Sequence, residues 1–159
     1  MGLHHLDHYN IECVNLEETI RFYCDVLGLY VGDRPPLPFP GAWLYCENNL
    51  PTIHLIGTDP GQPDRPKVPS GRVHHICFAT TGKAEIRKRL VAAGIKFNTV
   101  VLPVVRYTQF FMQDPNGINV ELNFPAEETT KEDEEMMANR GREAFLYVPE
   151  KEAKAKAPA

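Results

Sequence analysis

Residues 45–54, "YCENNLPTIH", and residues 112–121, "MQDPNGINVE", decide how this chain folds. Each ends one apolar run, passes through a turn signal and begins another. Laid on one another they match without a gap, and they close on His54 and Glu121. Working outward, His8 lies 46 residues before His54, and His75 lies 46 residues before Glu121. Equal internal spacing in two consecutive stretches predicts a duplicated unit, whereas a solenoid would need more copies.

The flanking elements fall in the same order on both sides. "HLDHYNIEC" (5–13) alternates as a strand. Asn15 then opens a helix with Glu18 three residues on, Ile20, Tyr23 and Leu27 recur at helical spacing, and Gly28 stops it. "LYVGDR", "AWLYCE" and "TIHLIG" are predicted strands, with the proline-rich "PPLPFPG" between the first two. A linker, residues 58–72, has no apolar periodicity. The pattern then restarts: "VHHICFA" as a strand, "GKAEIRKRLVAAG" (82–94) as a helix with Ile86, Leu90 and Ala93 on one face, then "IKFNTVVL", "RYTQFFMQ" and "INVELNF". The expectation is an α+β domain over residues 1–125, built from two tandem βαβββ modules (5–57 and 73–124). Residues 126–159 form a charged extension. Its charges read as a solvated face, "REAFLYVP" as apolar enough to dock on a partner subunit, and "KEAKAKAPA" as disordered.

Composition narrows the function. The chain has 159 residues, 43% hydrophobic and 24% charged, as expected of a globular protein with a real core. Its net charge is −4, of which the extension carries −3 through nine acids and six bases. A near-neutral domain without a basic stripe gives no electrostatic case for nucleic acid. No apolar run approaches the ~18 residues of a membrane span and no signal segment opens the chain, so the expected location is cytoplasmic and off the membrane. Cys13, Cys24, Cys46 and Cys77 form no Cys-x-x-Cys pair and sit in apolar segments, which reads as buried thiols.

The duplication makes His8 equivalent to His75 and His54 equivalent to Glu121, all four within predicted strands. A lone histidine on a buried strand is usually a core residue satisfied by hydrogen bonds, but an unpaired buried carboxylate is rare. Four ligand-type residues at equivalent positions outweigh the bland alternative. Modules related by a pseudo-two-fold would bring them toward one axis, and three imidazoles with one carboxylate suit one divalent ion per site: Zn, Ni, Co, Fe or Mn. His74 falls on the opposite face from His75 by alternation, and His4 and His5 lie near a terminus, so these three are left aside.

"LDHYNI" (6–11), "HHICFA" (74–79) and above all "QDPNGINVEL" (113–122) resemble the vicinal oxygen chelate superfamily, the glyoxalase/bleomycin-resistance/dioxygenase group. The likeness covers residues 5–124, and the last motif is similar to that family's D-P-x-G-x-x-x-E-L close. It implies a curved, open mixed sheet around a metal site, with His8, His54, His75 and Glu121 as ligands. It also implies chemistry on a small molecule chelated through adjacent oxygens. Glyoxalase-like and epimerase-like members usually carry Glu or Gln where this chain has His54, which leaves Glu121 as the one obvious metal-bound base. The extra ligand leans toward a lyase or isomerase. The alternatives are an extradiol-type ring-cleavage dioxygenase and a metal-free protein that sequesters a drug-like molecule.

Alternation adds pocket candidates: Asn10 beside His8, Cys77 beside His75, and Asn119 beside Glu121. Arg106 and Tyr107 could hold an anionic or phenolic substrate. Trp43, after the proline loop, could wall the pocket, while Phe22, Phe110 and Phe111 read as core. An open sheet leaves edges exposed, which predicts a homodimer.

Overall fold

The computed structural model describes residues 5–63, 65–68, 70–102 and 104–138, of which residues 136–138 are described by their backbone alone. The first module runs β1 (Tyr9–Glu12), α1 (Leu16–Arg21), β2 (Tyr30–Gly32), β3 (Gly41–Tyr45) and β4 (Pro51–Ile56). The second repeats it as β5 (Ile76–Ala79), α2 (Lys83–Ala92), β6 (Phe97–Val101), β7 (Thr108–Gln113) and β8 (Asn119–Phe124). Each module is a four-stranded mixed sheet, ordered β1-β4-β3-β2 and β5-β8-β7-β6, so first and last strands lie side by side and parallel. The sheets are not closed. Among the described residues no helix is long and apolar enough to cross a membrane.

Alternation assigns the two faces. Ile11, Leu44, Ile53 and Leu55 from one sheet, and Phe110, Met112, Val120, Leu122 and Phe124 from the other, enter one shared core with Phe22, Tyr23, Ile86 and Leu90. His54 and Glu121 alternate with these residues and therefore point out of the core. The helix starts obey local chemistry. Asn15 caps α1, its side chain accepting from the Glu18 backbone N–H at 2.9 Å. Ala93, expected on the apolar face of α2, is exposed instead, because it falls past the last helical turn.

Equal spacing conceals compensating differences between the modules. After Arg21 the first helix widens into a π-helical turn, Phe22–Val26, which absorbs one residue that α2 lacks. The hairpin turns also differ from the gapless match. The bonds Cys46 N–H to Leu50 O and Asn49 N–H to Cys46 O correspond to Asp114 N–H to Ile118 O and Gly117 N–H to Asp114 O. Asn49 and Gly117, both at positive φ, are therefore equivalent, and Cys46 matches Asp114. The residue in excess is taken up at an irregularity between Leu44 and Tyr45. His8 and His75 do not lie within strands as expected; each immediately precedes one.

Three further expectations change. The start of the extension is solvated at Glu127, Lys131, Glu132 and Glu135 as expected, but not throughout. After a short 3-10 turn, Ala126–Glu128, the helix α3 (Lys131–Ala138) brings Asp133, 2% exposed, onto the buried Lys83 ammonium and the Arg87 guanidinium. Gly82, which has no side chain to cap α2, is supplemented by Glu128, whose carboxylate accepts from the Gly82 and Lys83 N–H groups at 2.9 and 2.6 Å. Of the four thiols, all free, only Cys13 is buried; Cys77 is exposed, because β5 is an edge strand with one face uncovered. "REAFLYVP", "KEAKAKAPA" and His4 lie outside the described residues.

Candidate metal centre

The first sheet presents a stack of three rings. Register places Trp43 of β3 directly beside His54 of β4, and the rings lie 4.1 Å apart at 3°. His8 covers the other face of His54 at 3.9 Å and 18°. Enclosed in this way, His54 Nε2 is buried and has no hydrogen-bond partner. Burial, then the neighbouring His8, pulls the His54 pKa down and favours the neutral ring, the form that ligates metals. His8 Nδ1 meets Asp7 Oδ2 at 2.8 Å, a contact that fixes its tautomer and leaves Nε2 free. The same hydrogen bond lowers the Asp7 pKa.

The second sheet presents a carboxylate already held by its neighbours. Glu121 is 5% exposed, between Cys77 of β5 and Phe111 of β7 in register. Its Oε2 lies 2.9 Å from His75 Nε2, and its Oε1 accepts from the Gln109 amide. Desolvation, followed by hydrogen bonding and repulsion from Glu121, pushes the Cys77 thiol up to about 12. The His75 ring sits edge-on to Phe111, and its Nδ1 is 2.8 Å from His74 Nδ1. The contact with His74 departs from the expected opposite faces, since strand alternation does not govern residues ahead of the strand.

The structure thus brings the predicted ligands together in two pairs, His8 with His54 and His75 with Glu121, each closed within its own module. Among the described residues no group of three or more His, Cys, Asp or Glu side chains is disposed to hold a metal ion. The donor set itself fits one: three imidazoles and a carboxylate, with one imidazole nitrogen orphaned in a buried position.

The other candidates divide. Trp43 and Cys77 adjoin the pairs, and Asn10 stands opposite His54 in register on the edge strand. Asn119 shares the face of Glu121, but its amide donates to the His74 carbonyl. Arg106 is exposed and pairs with Glu134 of α3 at 2.9 Å. Tyr107 lines a separate cleft between the modules. Two contributors escaped sequence reasoning. Gln109 sits one strand from Glu121, visible only once the β7–β8 register is known. Asp7 adjoins His8 in sequence, where neighbouring residues ordinarily face apart.

Comparison with known proteins follows this geometry. The profile of the Glyoxalase/Bleomycin resistance protein/Dioxygenase superfamily matches residues 5–122. Glyoxylase I 4 of Arabidopsis thaliana is 28% identical over 121 residues, 74% of this chain and 68% of that protein. The mitochondrial methylmalonyl-CoA epimerase of Bos taurus is 28% identical over 133 residues, 76% of this chain and 74% of that protein. Among solved structures, a glyoxylase/bleomycin resistance protein/dioxygenase domain from Frankia sp. EAN1pec superposes with a TM-score of 0.62 at 22% identity, covering 80% of this chain and 96% of that one.

Proposed function

The chain belongs to the Glyoxalase/Bleomycin resistance protein/Dioxygenase superfamily, and from that membership we propose that it is a divalent-metal-dependent enzyme of lyase or isomerase type. Its substrate is a small molecule that presents two adjacent oxygens. The observation that carries this reading is the coincidence of four donors at equivalent positions, one of them an imidazole nitrogen buried without a partner.

His8, His54, His75 and Glu121 would hold the ion. Asp7 fixes the His8 tautomer, and the Trp43 face keeps the His54 ring in plane. When bound, a divalent ion would supply Lewis-acid polarisation of the substrate oxygens and so acidify the neighbouring C–H. Glu121 takes that proton at Oε2 while the Gln109 amide retains Oε1. Because each module closes only half of the donor set, two chains pairing as a homodimer would both join the halves and cover open strand edges.

Elemental analysis of protein purified without chelator tests this. About one divalent ion per chain supports the enzyme. No metal and no rebinding supports the competing metal-free binding protein, a reading favoured by the direct His75–Glu121 contact. Stoichiometric oxygen uptake by the Fe(II)-loaded protein on catechols, with ring-opened product, would replace lyase or isomerase chemistry by ring cleavage.

A further inference from the structure

The duplication creates two equivalent junctions where the hairpin turn of one module meets the helix start of the other, and they differ. At the first, the β7–β8 turn is locked onto α1. Asn116 Oδ1 accepts from the Val14 N–H at 2.7 Å, the Asn116 amide reaches the Thr19 hydroxyl at 3.2 Å, and the Tyr23 hydroxyl donates to Asp114 at 3.1 Å. The interval that carries His8 onto His75 also carries Val14, Thr19 and Tyr23 onto Thr81, Ile86 and Leu90. The matched turn bonds carry Asp114 and Asn116 onto Cys46 and Asn48. At the second junction the carboxylate of the lock has thus become a thiol, and the hydroxyls of its helix partners have become alkyl groups. No lock can form. In its place lies a cleft of about 560 Å³ that contains Cys46, Asn48, Thr81 and Ile86 in its walls.

The walls define what the cleft can take. Its walls include the apolar side chains of Leu27, Leu29 and Phe78 and the hydroxyl-bearing residues Thr80 and Tyr107. Among the described residues, Glu47 is the one charged residue of the walls, which include no Lys, Arg or His. Glu47 has no hydrogen-bond or ion-pair partner among the described residues. The Arg89 guanidinium lies over Gly28, a wall residue, but Arg89 is not itself a wall of the cleft. A volume of this size suits a small molecule, and junctions between modules are where such sites occur. None of His8, His54, His75 or Glu121 lines it, so the site is separate from the candidate metal centre.

We propose that this open junction is a second small-molecule site, which takes an organic cation with its ammonium head on Glu47 and its apolar body on Leu27, Leu29 and Phe78. The inference stands whether or not the protein binds metal.

The test is a ¹H–¹⁵N NMR titration of the full chain with phenethylamine, set against 3-phenylpropionate, which has similar shape and opposite charge. The expected result is a saturable shift of the Glu47, Thr80, Thr81 and Tyr107 amides with the amine, while the His54 and His75 amides stay still. Glu47→Gln, an exposed substitution that leaves the core untouched, should weaken the amine at least fivefold. No saturable shift, equal shifts with the carboxylate, or undiminished amine binding by Glu47→Gln would each overturn the proposal.

Discussion

Glu121 shows how one residue sets the behaviour of its neighbours. A carboxylate in this position meets three donors, from His75, Gln109 and Cys77, and so remains in a sheet that would otherwise exclude it. Cys77 carries the reciprocal cost. Its side chain is exposed, yet the thiolate would form against a buried environment and the Glu121 oxygens. A thiol at about 12 exposes a thiolate fraction of only ~0.01% at pH 8, since each unit is tenfold. In metal-free protein, alkylation of Cys77 followed by mass spectrometry should therefore be slow at pH 8 and climb about tenfold per pH unit. Glu121→Gln should accelerate it. For the ion itself, His75→Ala should lose metal, whereas Glu121→Gln, which keeps an oxygen donor, should retain most of it and lower turnover by ~10²–10⁴-fold. The four donors were legible from spacing alone because they are equivalent in a repeat. Gln109 was not, because which strand lies beside Glu121 is a fact of pairing rather than of sequence.

At the scale of elements, the strand-helix-three-strand order was readable from caps and alternation, with Asn15 and Gly28 marking the ends of the first helical segment. The π-helical turn and the shifted hairpin were not, since the one residue that each adds to the first module is offset by two extra residues between Gly94 and Phe111 in the second. The extension was misread for a different reason. A run of acids is solvated unless a buried cation awaits it, and Lys83, on the inward side of α2, is that cation. Asp133→Asn removes the charge opposite Lys83 and should destabilise the protein by ~3–5 kcal/mol in urea unfolding. Replacing both residues by apolar ones of similar size should recover most of the loss. The pH dependence follows from the sign of the shift. Burial raises the Asp133 pKa, but hydrogen bonds from Lys83 and Thr130 outweigh it, and the carboxyl sits below its ordinary 3.8. Its stabilisation is present above that value and is lost as pH falls through the lowered one. The gap between native protein and Asp133→Asn should therefore close as acid is added below pH 3.8.

Over the whole molecule, the two modules share one core, yet each closes its own pair of donors. The sequence carries the donors and the fold of each module, but their final assembly depends on how sheet edges meet, and no periodicity encodes that. If two chains complete each centre, co-expressed His54→Ala and His75→Ala chains should regain about one ion per four chains, because random pairing makes half of the dimers mixed and one of the two centres in each mixed dimer is intact. Centres built within one chain would regain none. The central claim is that His8, His54, His75 and Glu121 close on a single ion. X-ray absorption at the metal edge of stoichiometrically loaded protein tests it most directly, because imidazole rings leave a countable scattering signature. Three imidazoles at about 2.0–2.1 Å, with the remaining donors oxygen, is the predicted result for zinc; an ion seen by one imidazole or none would contradict it.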